Sequence, residues 1–335
     1  MGNINVLCST DDNFAQHCAV MASSVLRHTE SPVIIHVIES KLSANNQQKL
    51  KETITANGGE IIFHHVGENY AKLLQVHDGS AVSDAAYYRF YVTTLIEDES
   101  IEKILYLDCD IVVMDDVARL FQIDMTDYPI AAVRDIVNPA NEKQMFGISF
   151  SYRDRYFNSG VLLINLKLWR QNNYQERLVE KTRQINSFIF PDQDPLNAVF
   201  RNKWLELPPW WNRFSVVRYQ DVFFRTKSDE LRYIYSPSII HYANNIARPW
   251  MDMIFVPWGK KYEEILALTP WKGTERQKVN TYSKYKLLLI IKCINIIYRS
   301  PFFFRILIVS IMDIFLSIYH LFKNRGCRFY KPLSI

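Results

Sequence analysis

Three short, mainly apolar runs, at residues 4–7 (broken by Asn5), 104–107 and 130–133, each give way within two residues to a polar cluster containing carboxylates. The clusters are Ser9-Thr10-Asp11-Asp12-Asn13, Asp108-Cys109-Asp110 and Arg134-Asp135. Mainly apolar runs of this length suit strands covered on both faces, as in a parallel sheet packed between helices. Residues 14–28 and 43–57 read as those helices, and 33–38 and 60–65 as further strands. Gly58-Gly59 stops the second helix, and 81–96 has helical periodicity. Strands alternating with helices imply βαβ units, so the expected fold class is α/β with a mainly parallel central sheet. In such a sheet ligands bind beyond the carboxyl ends of the strands. All three acidic clusters fall there.

At 335 residues the chain exceeds the ~250–300 at which one core usually stops growing. One large domain, 1–282, with an appendage, 283–335, is expected. Charge divides at the same point. Nine of the 39 Lys and Arg, but only one of the 35 acids (Asp313), lie in 283–335; residues 1–282 keep 30 bases and 34 acids. A mildly acidic body predicts no nucleic-acid partner, and a basic tail predicts an anionic one. Only 10 residues are glycine, and neither GxGxxG nor GxxxxGK[ST] occurs. Any bound phosphate must therefore be neutralised by a metal or by cationic side chains. Five cysteines, an odd count with no CxxC, exclude a disulfide framework and a four-thiolate zinc site, and suit a reducing compartment. Residues 1–7 have neither the basic segment nor the long apolar stretch of a secretory signal, so the body is expected in the cytoplasm.

Asp108 and Asp110, two residues apart at a strand end, point to one side of an extended backbone. Like charges so placed repel unless a cation or a shared proton relieves them. A hard divalent ion held by oxygen is the simplest relief; an N-cap with a solvated turn acid is the plainer one. His241 lies at the exit of another expected strand, 238–242, and suits either a structural role or completion of an oxygen/nitrogen site that favours Mn2+ over Mg2+. Arg248, beside Pro249-Trp250, can place a guanidinium on a phosphate or sit on the surface. In Asp192-Gln193-Asp194-Pro195, Asp194 reads as an N-cap with proline first in the helix, which leaves Asp192 and Gln193 facing outward. Asn158, before the apolar run 161–164, fits a turn or a contact to sugar hydroxyls.

Taken together, these motifs resemble glycosyltransferase family 8, especially its bacterial lipopolysaccharide and lipooligosaccharide galactosyl- and glucosyltransferases. The resemblance rests on ordered blocks over about 260 residues: STDDNFA (9–15), AAYYRF (85–90), LYLDCDIVV (105–113), FNSGVLLINLKLWR (157–170), DQDPLN (192–197) and HYANNIARPW (241–250). It implies a GT-A, Rossmann-like nucleotide-sugar fold, a UDP-galactose or UDP-glucose donor, Mn2+ with Mg2+ possible, and transfer with retention. By the same resemblance Asp11 and Asn13 hold uracil and ribose, and Arg89 contacts the donor. Asp108, Asp110 and His241 ligate the metal, with Asp108 also reaching the sugar. Asp135 and Asn158 contact sugar hydroxyls, Asp192 and Gln193 lie beneath the reacting carbon, and Arg248 takes the place of a diphosphate-binding lysine. The segment HYANNIARPW departs from the family's HYxGxxKPW: one residue longer, Asn244 or Asn245 for glycine, and Arg for Lys.

Cleaving a glycosyl–phosphate bond creates an oxocarbenium-like centre and a departing diphosphate, which metal and cation stabilise. Gln193 is no strong nucleophile, so same-face attack by the acceptor is expected over a glycosyl–enzyme intermediate on Asp192 or Asp194. The tail runs 287–298 and 302–322 are apolar, but Arg305 and Asp313 interrupt the second. Ser310, Asp313, Ser317, His320 and Asn324 form one helical stripe, and Lys292, Asn295 and Arg299 another. Such amphipathic helices lie on an anionic membrane surface, with packing on the body or a second subunit as the alternative and a transmembrane span the least favoured. The resulting expectation is a peripheral enzyme on the inner face of the membrane that extends a lipid-linked saccharide. A glycogenin-like transferase and an inactive sugar-nucleotide-binding protein are the alternatives.

Overall fold

The computed structural model describes residues 2–39, 41–67, 84–136, 155–184, 190–216, 222, 224–243, 247–253, 255–279 and 285. The chain parts into two compact units, 1–252 with 256–277, and 253–255 with 278–335. Every strand and helix below belongs to the first. The expected tail helices, and Asn244 and Asn245, lie outside the described residues.

Seven strands make the central sheet: β1 (Ile4–Thr10), β2 (Val33–Glu39), β3 (Glu60–His65), β4 (Lys103–Leu107), β6 (Ile130–Arg134), β7 (Phe157–Asn165) and β8 (Trp204–Leu207). Their order is β3-β2-β1-β4-β7-β6-β8. All neighbours run parallel except at β7, which is antiparallel to both β4 and β6. β1, β4 and β6 therefore point the same way, and their acidic clusters share one edge. The expected α/β class holds, with one reversed strand inside the sheet.

Both faces of the central strands β4, β6 and β7 are buried, which is why their sequences read as apolar runs. Leu105, Leu107, Val161 and Leu163 enter the core on one side with Val6 and Cys8. Ile104, Tyr106, Leu162 and Ile164 enter the other with Leu7. On the first side lies α1 (Ala15–His28), whose residues from Ala15 to Val25 are all buried except Gln16. Then follows α2 (Ala44–Ala56), capped by Ser43, whose hydroxyl accepts from Asn46 N. It ends through Gly58 at φ +81°, a left-handed position that glycine adopts without Cβ strain.

A second, three-stranded sheet carries β5 (Ile111–Val113), β10 (Ile239–His241) and β9 (Arg213–Phe214), in that order. β5 follows Asp110 directly, and its antiparallel pairing sets His241 opposite Ile111. The histidine thereby reaches the acidic pair.

Two expectations need correction. Residues 84–91 form a 3-10 turn, followed by a one-turn helix, Val92–Leu95, in place of a continuous α-helix; 81–83 lie outside the described residues. Buried Tyr87 and Phe90, and Tyr88 and Tyr91, recur every third residue, which is the 3-10 period. The helix expected to start after an Asp194 cap begins instead at Gln193. Asp194 is fully buried, accepting from the Tyr156 hydroxyl and from Phe190 N. Gln193 is consequently turned inward, not outward.

Candidate active site

The tight turn after β4 brings Asp108 and Asp110 to His241. Ligand atoms of all three lie within 4.8 Å of one another. His241 Nε2 is 3.1 Å from Asp110 Oδ1 and 3.8 Å from Asp108 Oδ2. Gly160, on β7, makes the approach possible: a Cβ there would stand 2.3 Å from His241 Cε1 and 2.8 Å from Asp108 Oδ2. Burial raises the Asp108 pKa and Asp110 adds repulsion, against the pull of Arg89. Burial also opposes charge on Asp110, but His241 and Arg248 outweigh it and hold its pKa down at about 2. For His241 burial is likewise outweighed, by Asp110, and its pKa rises. The two like charges and the imidazole thus face one another at the place where a cation would relieve the repulsion.

Arg89 is buried between two of the acids. Its Nη2 donates to Asp108 Oδ1 at 2.9 Å, its Nη1 lies 3.3 Å from Asp192 Oδ2, and Nη1 also donates to Ser159 O. The guanidinium stacks over Tyr106, whose hydroxyl donates to the same Asp108 oxygen. Arg89 therefore sets the orientation of Asp108 and Asp192. Arg248 lies on the open side, with Nη2 3.5 Å from Asp110 Oδ2. Its plane packs on Phe14 and Trp250, and its buried Nε–H has no partner among the described residues.

Next to this cluster is a closed polar network. Gln193 Oε1 accepts from Asn158 Nδ2 and Ser159 N, while its Nε2 donates to Asp135 Oδ2 at 3.0 Å. Asn158 Nδ2 also donates to Asp135 Oδ2, and Asn158 Oδ1 accepts from Gly160 N and Asn212 Nδ2. Asp192 Oδ2 accepts from the Ser159 hydroxyl. Asp135, Asn158 and Gln193 are thus brought together, with Asp192 joined to them through Ser159. Asp194, the other acid considered as a nucleophile, is enclosed.

Asp11 and Asn13 occupy the exit of β1. Asp11 Oδ1 accepts from Phe14 N and opens α1, while Asn13 is exposed. Sequence reasoning did not single out Asn212 or Ser159. Asn212 ends the 3-10 turn Pro209–Asn212 and meets His241 only through the β9–β10 pairing, 29 positions away, so no local pattern marks it. Below the acidic turn, Cys8, Cys18 and Cys109 gather in the apolar core. Their mutual hydrogen bonds and burial hold all three thiols above the ordinary range, so they pack as neutral groups.

A mixed, mostly parallel sheet with an acidic pair and a histidine at its carboxyl edge defines a GT-A glycosyltransferase. Solved structures agree. A galactosyltransferase, LgtC, solved with donor and acceptor sugar analogues, superposes with a TM-score of 0.69 at 26% identity, covering 80% of this chain and 96% of that one. The family model described as Glycosyl transferase family 8 matches residues 5–253, and the chain belongs to that family. Among similar proteins, General stress protein A of Bacillus subtilis is 29% identical over 83% of this chain and 98% of its own length. A lipopolysaccharide 1,2-glucosyltransferase of Escherichia coli is 25% identical over 84% and 83%.

Proposed function

We propose that this glycosyltransferase moves galactose or glucose, with retention, from a UDP-hexose to a lipid-linked glycan such as lipopolysaccharide. The observation that carries the reading is the convergence of Asp108, Asp110 and His241, with the cation of Arg248 beside them. Two carboxylates and an imidazole nitrogen are a donor set that suits Mn2+ and accepts Mg2+. Those three side chains would hold the ion, which when bound neutralises charge on a departing diphosphate.

The remaining residues have roles that their surroundings support. Arg248 offers an unmet buried N–H to a phosphate oxygen. Asp11 and Asn13, at the end of β1, receive uracil and ribose. Asp135 and Asn158 face the hexose, and Asp192 and Gln193 underlie the reacting carbon. The Gln193 amide already has three hydrogen-bond partners, and Asp194 is buried, so neither attacks the anomeric carbon. The acceptor hydroxyl attacks on the face the diphosphate leaves, with Asp192 and Gln193 stabilising positive charge below.

The basic segment 283–335 supports attachment to an anionic membrane surface, the inner face of the cytoplasmic membrane, where a lipid-linked acceptor is met. A donor panel with Mn2+, read as nucleotide release, tests the reading. UDP-galactose or UDP-glucose should be turned over and GDP-hexoses hardly at all; equal turnover of both would refute the roles of Asp11 and Asn13.

A further inference from the structure

Asn212 is 2% exposed, and both ends of its amide are committed. Its Oδ1 lies 2.9 Å from His241 Nδ1, and its Nδ2 donates to Asn158 Oδ1 at 2.8 Å. The direction of this chain of bonds is dictated from its far end. The carboxylate of Asp135 only accepts, so Asn158 turns its Nδ2 toward it. Asn158 Oδ1 therefore faces the other way and takes the Gly160 N–H at 3.0 Å. Its remaining neighbour, Asn212, must present N–H to that oxygen and hence its carbonyl to His241. An imidazole nitrogen that faces a carbonyl must carry a proton. Nδ1 of His241 is then the N–H, and Nε2 is the nitrogen turned to Asp108 and Asp110.

From this we infer that Asn212 is a positioning residue, which fixes the His241 tautomer for metal ligation and couples it to the hexose-side network of Asp135, Asn158 and Gln193. The inference rests on the proposed metal site and deepens it. Outer partners of a ligating histidine orient its ring and raise its basicity, and their loss commonly weakens metal binding by ~10–100-fold. Here the partner has a second bond, so the same amide senses both halves of the donor. Backbone register explains why the position is available: β9 and β10 pair in parallel with His241 beside Phe214, which carries the preceding turn against the ring.

The test uses the full chain and two substitutions that divide the two bonds. Asn212→Asp still accepts the Nδ1–H but, ionised, has no proton for Asn158. Asn212→Leu, close in volume, does neither. Mn2+ affinity is read from the free-ion signal in electron paramagnetic resonance with UDP present, alongside thermal midpoint and UDP-hexose hydrolysis. Asn212→Asp should bind Mn2+ within about threefold of the parent yet lose kcat, while Asn212→Leu should bind Mn2+ ~10–100-fold more weakly. Parental Mn2+ affinity in Asn212→Leu would overturn the inference alone. So would equal loss of affinity in both variants alongside equal falls in thermal midpoint, the pattern of a merely structural residue. If Asn212→Leu fails to fold, Asn212→Asp decides: a tenfold loss of Mn2+ affinity overturns the inference, and retained affinity with lost kcat supports it. Absence of Mn2+ binding by the parent protein would overturn the proposed function and this inference together.

Discussion

At the scale of single residues the site is set by contact distances. Gly160 shows this most sharply. Its missing Cβ is what lets His241 and Asp108 approach, so Gly160→Ala must displace the ring or the acid. Hydrolysis of UDP-hexose is expected to fall by on the order of 10²-fold, with the loss largely in metal affinity; unchanged Mn2+ dependence would contradict the packing described. Asp110→Asn removes the acid nearest His241 Nε2 and should lower transfer by roughly 10²–10³-fold while circular dichroism stays the same. The acids, the histidine and Arg248 were legible because each follows an apolar run or lies in a distinctive motif. Asp194 was misread: proline after an acid is a capping signal locally, but the Tyr156 hydroxyl and Phe190 N hold its carboxylate in the interior. Local patterns report local bonds, and those partners come from across the fold.

At the scale of elements the parallel strands were legible and the 84–95 segment was not. Its aromatic residues bury at a three-residue repeat, close enough to 3.6 to pass for an α-helix in sequence. The reversed β7 escaped for a different reason: strand direction is set by pairing, which no single run encodes. Packing between strands also yields a pH prediction. His36 on β2 donates its Nε2–H to Asn5 Oδ1 on β1 at 3.0 Å, and its Nδ1 pairs with His64 Nε2 on β3 at 2.9 Å. Burial, with the repulsion of His64, lowers its pKa to about 4, and burial lowers that of His64. Unfolded, both imidazoles gain protons near ~6.5. Between those values the unfolded chain binds more protons at this pair, so stability falls as pH drops from about 6.5 to about 4, and buried His17, lowered to about 3, adds to the same slope. Urea midpoints across that range should show the slope, and His36→Asn should reduce it, with His64 and His17 supplying the remainder. A midpoint that rose on acidification would contradict the buried pair.

At the scale of the whole molecule the composition was informative where contacts were not. The shift from an acidic body to a basic, apolar tail at about residue 283 predicts separable roles. Truncation after residue 282 should leave UDP and Mn2+ binding in place and release the protein from anionic vesicles. Transfer to a membrane-embedded acceptor should fall sharply, because attachment raises the effective acceptor concentration. High salt should loosen the parent only partly, since an apolar face is not screened. A truncated chain that no longer binds UDP would contradict separable roles. The central claim, that the acidic pair and His241 form the divalent-ion site of a UDP-hexose transferase, is tested most directly by anomalous diffraction from crystals grown with Mn2+ and UDP. A manganese peak within bonding distance of Asp108, Asp110 and His241 Nε2 is expected. A peak elsewhere, or UDP bound with none at that site, would contradict the account.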